Sequence, residues 1–233
     1  EGGADIICLC DTNGASGPEE ICAVVRAARD LMPGVELGIH CHDDCGLAVA
    51  DAMAAVGAGA TPVQGTFLGF GERCGNARLS TLIPNLQLKR GYECIPPENM
   101  AFLTPTAIKI ADIANFKLPG SLPYVGSSAF AHKGGMHVDA VSKSPRTFEH
   151  IRPQDVGNRR RVLVSEISGK SALMDKIRKY DPSLDRNSSK TREIVDKLKQ
   201  MEYRGYQYEA AEESFDLVIR RTLGIQKKFF ELD

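Results

Sequence analysis

The sequence predicts an α/β fold: the C-terminal part of a (β/α)8 TIM barrel followed by mostly helical linker subdomains. Three observations carry that prediction. Apolar runs of strand length, "ADIICLCDT", "VELGIHCHDD" and "PVQGTFLGFG", alternate with helical patterns at short spacing, and strands joined by helical crossovers run parallel. Each run ends near polar residues: Asp11 and Thr12, then His40 and His42, then Glu72 and Arg73. Polar groups gathered at C-terminal strand ends mark the catalytic face of such a barrel. The first strand also begins with no capping element, and three parallel strands alone leave faces and edges uncovered. They read as the last three of eight units, with roughly 150 residues of a barrel of about 250 expected upstream. A doubly wound open sheet competes, but no glycine-rich phosphate loop follows the first strand.

The elements follow in order. Pro18 opens the amphipathic helix "PEEICAVVRAARDLM", and Gly34 closes it. A small-residue-rich helix, "GLAVADAMAAVGAGA", follows the second strand, and "NARLSTLIPNLQLKR" follows the third. Residues 1–90 thus form the barrel units. Residues 91–152 read as a linker subdomain: "IPPENMAFLTPTAIKIADIANFKLP" is a helix flanked by prolines, and "GSLPYVGSSAFAHKGGMH" is a histidine-bearing glycine loop. Residues 153–233 read as a helical subdomain, with Ser165 or Ser168 and Ser188 or Ser189 as candidate caps.

Composition narrows the function. The 233 residues are 42% hydrophobic and 25% charged, the usage of a globular chain with a sizeable core. A formal net charge of -1 gives no electrostatic case for nucleic acid or an anionic membrane. No apolar run is long enough for a membrane span, and no signal peptide opens the chain. Seven cysteines without zinc-ribbon spacing fit reduced thiols and a cytoplasmic location, with Cys8 and Cys10 expected as small core residues.

The sharpest local signal is "HCHDD". In a strand, residues i and i+2 share a face about 6.6–6.8 Å apart, so two imidazoles can converge on one divalent ion while Cys41 points away. Asp43 and Asp44 follow for supporting contacts, and Asn76 in "GFGERCGN" offers an oxygen. Two packed or hydrogen-bonded histidines are the alternative, and Cys45 and Cys74 are a weaker, thiolate one.

Those motifs carry a resemblance. "HCHDDCGLAVA", "GFGERCGNA" and "CDTNG" resemble the acetyl-CoA-dependent 2-oxo-acid condensing enzymes: the 2-isopropylmalate, homocitrate and citramalate synthases. "HKGGMHVDAV", "EHIRPQDVGNRRRVLVSEISGKSAL" and "MEYRGYQYEAAEESFDLVIRRTLG" are most similar to the citramalate synthase branch. The resemblance implies a divalent metal ion (zinc, manganese or magnesium) held by His40 and His42, with Asn76 nearby or as a weaker ligand. It places Thr12 at the carboxylate of the 2-oxo acid and makes His137, in "GGMH", a catalytic histidine delivered to the partner subunit of a homodimer. Glu72 and Arg73 are implied at the catalytic face, bracing the strand end and the Asn76 loop; a local ion pair is the plainer reading.

The implied reaction is a Claisen-type condensation of acetyl-CoA with pyruvate, then thioester hydrolysis, in branched-chain amino-acid biosynthesis. 3-Methyl-2-oxobutanoate is the alternative substrate. A further aspartate ligand belongs to an Arg-Asp-Gly motif that these 233 residues lack, so the chain alone is expected to be catalytically silent. A C-terminal regulatory domain is likewise expected beyond it. Phe148 stands where the family usually has tyrosine, removing a hydroxyl. His132 reads as a surface-loop or functional histidine, and His150 as structural.

Overall fold

The computed structural model describes residues 2–132, 140–141, 143–162, 170–206 and 212–227. It separates into two compact units, Glu1–Ala129 with Pro153–Asn158, and Phe130–Arg152 with Arg159–Asp233.

The first unit is built on three parallel strands, β1 (Ile6–Asp11), β2 (Glu36–Cys41) and β3 (Val63–Gln64), in the order β1-β2-β3. Spatial order that follows chain order, with one helix after each strand, is the wall of a (β/α)8 barrel. Asp11 pairs with Cys41, and His40 with Gln64, so the polar ends stand level.

Helix α1 (Pro18–Leu31) starts with proline at its first turn, and the Glu20 carboxylate accepts a bond from the Gly17 amide at 2.9 Å. It buries Ile21, Val25 and Ala28. Helix α2 (Ala48–Ala58) buries alanines 48, 52, 55 and 58, and ends at Gly59, whose φ of 106° is left-handed. The Arg29 guanidinium donates to the Ala58 carbonyl there at 2.8 Å, a cation on a helix C-terminus. Ile39, Cys41, Leu82 and Leu86 complete this core.

Three sequence expectations change. The third strand shrinks to Val63–Gln64, because a side chain at Gly65 would strike the Ala77 carbonyl and the following residues turn back. The Thr66 amide bonds Ala77, and the Thr66 hydroxyl donates to the Phe70 carbonyl at 2.6 Å. The helix expected over 76–90 begins only at Leu79, since Asn76 and Arg78 are held in bridges to His42 and Thr66 and Arg78 keeps an extended backbone, with ψ 103°. Pro84 has no N–H for the helical ladder, so α3 (Leu79–Pro84) widens into a π turn over Asn85–Lys89. Cys10 is exposed and Cys8 half-buried, because Leu9 between them packs on the core and strand alternation turns both thiols to the opposite face.

Beyond it a 3-10 turn (Pro97–Phe102) leads into α4 (Leu103–Ile113), the helix expected between prolines. The Thr104 hydroxyl donates to the Val156 carbonyl at 2.7 Å, and Asn158 donates to the carbonyls of Tyr124 and Gly126, drawing 153–158 into this unit.

In the second unit, β4 (Ala131–His132) pairs in parallel with β5 (Arg161–Val162). Helices α5 (Lys170–Tyr180), α6 (Ser189–Tyr203) and α7 (Glu212–Leu223) surround Ile177, Ile194, Leu198, Phe215 and Ile219. Ser188 is the cap of α6: its hydroxyl oxygen accepts the Thr191 amide at 3.2 Å. Ser165 and Ser168 lie outside the described residues. No helix of the described residues is long and apolar enough to cross a membrane.

Ser188→Ala removes the cap and is expected to destabilise this helical unit by about 1 kcal/mol. Chemical denaturation should show an unchanged m-value and an earlier midpoint.

Candidate metal centre at the strand ends

The site is assembled by backbone bonds before any side chain acts. Past the end of β2, the His42 amide bonds the Asp11 carbonyl at 3.3 Å, the Asp43 amide bonds Gly75 at 2.9 Å, and Ala77 bonds Cys41 at 3.0 Å. His42 and Asn76 face each other as an antiparallel bridge. The segments after β1 and β3 are therefore laced onto the end of β2.

On this frame the two histidines converge. Their Nε2 atoms lie 3.4 Å apart, with ring planes at 68°. Two nitrogens at this distance either share one proton or face a common cation. Bonds of about 2.0–2.1 Å to a tetrahedral ion separate two ligand nitrogens by about 3.3–3.4 Å. Both Nδ1 atoms are buried without a partner, as is the Asn76 Oδ1, while the Asn76 Nδ2 donates to the Phe70 carbonyl at 2.9 Å. Among the described residues no group of three His, Cys, Asp or Glu side chains is placed to hold a metal. The donors at hand are two imidazoles and one amide oxygen. Cys45 and Cys74, both exposed, are not gathered with the histidines into such a group.

Asp43 and Asp44, expected to support the imidazoles, are bound elsewhere. Asp43 accepts the first amide of α2, from Ala48, at 3.1 Å, and pairs with Arg78 at 3.3 Å. Asp44 takes a two-pronged grip from Arg73, with Nε at 2.8 Å and Nη2 at 2.9 Å. The same Nη2 donates to the Thr12 carbonyl at 2.7 Å. These bonds hold the Asp44 carboxyl below its ordinary pKa and raise the Arg73 guanidinium above its own. Arg73 has a φ of 54°, a left-handed backbone that a residue other than glycine adopts only when its surroundings impose it. Glu72 is a marginal partner, 3.9 Å from Arg73 with its side chain 86% exposed. Gly75 next along has φ 93°, and any side chain there would strike the Gly69 carbonyl.

Thr12 is exposed at the end of β1, beside this guanidinium. His137 lies outside the described residues. In the second unit, His132 is buried and meets Glu149 at 3.2 Å, and Glu149 takes both prongs of Arg160 at 2.6 Å. The Arg160 bonds chiefly hold the Glu149 carboxyl below its usual pKa. His132 is thus part of a buried ion network. His150 stacks on Phe130 with ring centroids 5.8 Å apart, and the Phe148 ring is about half exposed.

Beneath the site lies a group that sequence reasoning missed. Asp51 on α2 is 1% exposed and its Oδ1 has no partner. Burial first, then the nearby charges of Asp11, Asp43 and Glu20, push its carboxyl up to about 6. Asp11 is also buried: Oδ1 accepts the Ser16 hydroxyl at 3.1 Å, and Oδ2 has no partner. Burial and these two acids push the Cys41 thiol up to about 12. The signal was present: Asp51 sits three, four and seven residues from Ala48, Ala55 and Ala58, on the face of α2 that alanine marks as buried.

Family comparison agrees with the strand-end motifs. Residues 1–116 match the HMGL-like family, and residues 124–205 match the homocitrate synthase post-HMGL domain-like family. The chain belongs to the HMGL-like family, with a post-HMGL domain-like region following the HMGL-like part. It is 46% identical to an (R)-citramalate synthase of Aquifex aeolicus, over 100% of this chain and 44% of that protein. It is 48% identical to an (R)-citramalate synthase of Synechocystis, over 99% of this chain and 43% of that protein. The chain thus spans less than half the length of these relatives. Among solved structures, an HMG-CoA lyase of Bacillus subtilis is 26% identical, with a TM-score of 0.44 over 50% of this chain and 40% of that one.

The buried acid gives this unit a pH signature. Asp51 has a folded pKa of about 6 against an ordinary 3.8, so the unfolded chain loses its proton first. The resulting penalty is absent below about pH 4, grows as pH rises, and is full above about pH 6. Asp51→Asn removes the charge and is expected to stabilise the fold by about 3 kcal/mol near pH 8 but not near pH 4. Thermal melts at the two pH values check this.

Proposed function

We propose that the intact protein carrying this chain is an acyltransferase that condenses acetyl-CoA with pyruvate, giving citramalate, in the supply of isoleucine precursors. One observation carries the reading: the imidazoles of His40 and His42 converge to 3.4 Å at the ends of parallel strands. The (R)-citramalate synthases matching the whole chain support the choice of pyruvate.

His40, His42 and the Asn76 amide oxygen would hold a divalent ion, zinc, manganese or magnesium, and the buried, partnerless Oδ1 of Asn76 suits that role. Such an ion, when bound, supplies Lewis acidity to the ketone of the 2-oxo acid. Thr12 receives the acid's carboxylate, on the turn that Arg73 secures. His137 takes part in removing a methyl proton from acetyl-CoA, or in activating the water that cleaves the thioester, for which an imidazole titrating near neutrality is suited. The carbanion attacks the polarised ketone, and hydrolysis makes the sequence irreversible. Arg73 and Glu72 serve the site through its loops, Arg73 by far the more firmly. Residues 1–90 supply barrel units, 91–152 the linker with the histidine-bearing loop, and 153–233 the helical subdomain. We place the protein in the cytoplasm as a homodimer.

Thiol release from acetyl-CoA by the intact protein, with pyruvate and 3-methyl-2-oxobutanoate compared, tests this directly. Pyruvate-dependent release is expected; turnover with the branched acid alone would reassign the substrate. His40→Ala should lower both bound metal and thiol release by about a hundredfold or more. Full metal content in that variant would remove His40 from the ligand set. His137→Ala should lower kcat by about 10²–10⁴-fold with metal content unchanged, and wild-type kinetics would exclude it from the mechanism.

A further inference from the structure

The 2-oxo-acid reading leaves Asp44 without a role. Its carboxylate touches neither imidazole by any hydrogen bond among the described residues, although it lies two positions from His42. Its contacts run instead toward the turn after β1. Both oxygens bind Arg73, at 2.8 and 2.9 Å, and Arg73 passes on to the Thr12 carbonyl at 2.7 Å. Asp44 also packs directly on Gly14: a β-carbon there would stand 2.6 Å from Oδ2 and 2.9 Å from the Asp44 Cβ. Gly14 has φ 63°, so the turn is left-handed where Asp44 covers it. Finally, the Cys45 amide bonds the Gly14 carbonyl at 3.1 Å. Residues 12–14 are thus gripped from above and behind by Asp44 and its neighbours.

From this geometry we infer that Asp44 is a positioning residue for the 2-oxo acid, acting through Arg73 on the Thr12 turn and not on the histidine pair. The inference rests on the functional reading given above. A guanidinium is needed because three bonds leave it in one plane, two to a carboxylate and one to a carbonyl. Lysine has the charge but not the fork. Loosening the clasp lets the Thr12 turn shift while His40 stays paired in the strand ladder and His42 keeps its backbone bond to the Asp11 carbonyl and its bridge to Asn76. The effect therefore falls on one substrate. A residue that only supports the fold would affect every ligand alike.

The experiment uses the intact protein and the near-isosteric Asp44→Asn. The KM for pyruvate is expected to rise about tenfold, with the KM for acetyl-CoA and the bound metal within about twofold of wild type. Arg73→Lys should show the same pattern, and the double variant should be no worse than either single one, since both break one connection. Metal loss, or equal rises in both KM values, in both folded single variants overturns the inference and leaves the functional reading intact. Additive effects in the double variant also overturn it. A wild-type protein that shows no 2-oxo-acid-dependent thiol release overturns the functional reading and this inference together.

Discussion

A parallel strand that stops at the catalytic face of a barrel leaves its last amides and carbonyls without ladder partners, and this protein meets that demand with one guanidinium and a few backbone bonds. Arg73 follows the β3 region, grips Asp44 after β2 and reaches the Thr12 carbonyl after β1. Its left-handed backbone is the cost of pointing the side chain back across two strands. The Asp43, His42 and Ala77 amides reinforce the same connections at 2.9 to 3.3 Å. The candidate site hangs on that lacing: the histidine pair, the Asn76 amide and the Thr12 turn are tied to one another by bonds that join three loops.

Much of this was legible in the residues, and unevenly so. Period and punctuation located α1, α2 and α4 within a few positions, because Pro18, the flanking prolines and helical periodicity act locally. The His-x-His pair was legible because strand geometry alone puts i and i+2 on one face. What pattern did not reveal was set by contacts distant in sequence. "GTFLGFG" has the apolar content of a strand, yet the Ala77 carbonyl beside Gly65 turns it aside. Asp43 and Asp44 looked like companions of the histidines, and only the fold brings Arg73 and Arg78 to claim them. Ser188 could be proposed as a cap, but choosing it over Ser189 required the Thr191 amide to be seen.

The core beneath the site mixes two chemistries. Ile21, Val25, Ile39 and Leu82 make an ordinary apolar layer, while Asp11, Asp51 and Cys41 place acids at its upper margin. Buried carboxylates with an oxygen left unpartnered, as in Asp11 and Asp51, are expensive at neutral pH. Both acids lie near the strand end that carries the histidine pair, which fits the general pattern in which proteins concentrate strain and unmet polarity near functional sites.

Helix α2 packs against β2 as well as α1. Its buried face carries alanine at 48, 52, 55 and 58, each at most 4% exposed, with Asp51 among them, so short side chains fill much of the seam. Leucines or methionines in such a seam can change rotamer and absorb a displacement; a methyl group has no such freedom, and an inserted methylene costs about 1–3 kcal/mol. The helix behaves as a shim of fixed thickness under the strand that carries His40, with Asp43 pinned to its first turn. The height of the strand that carries His40 is thereby set in large part by the smallest side chains in the layer below.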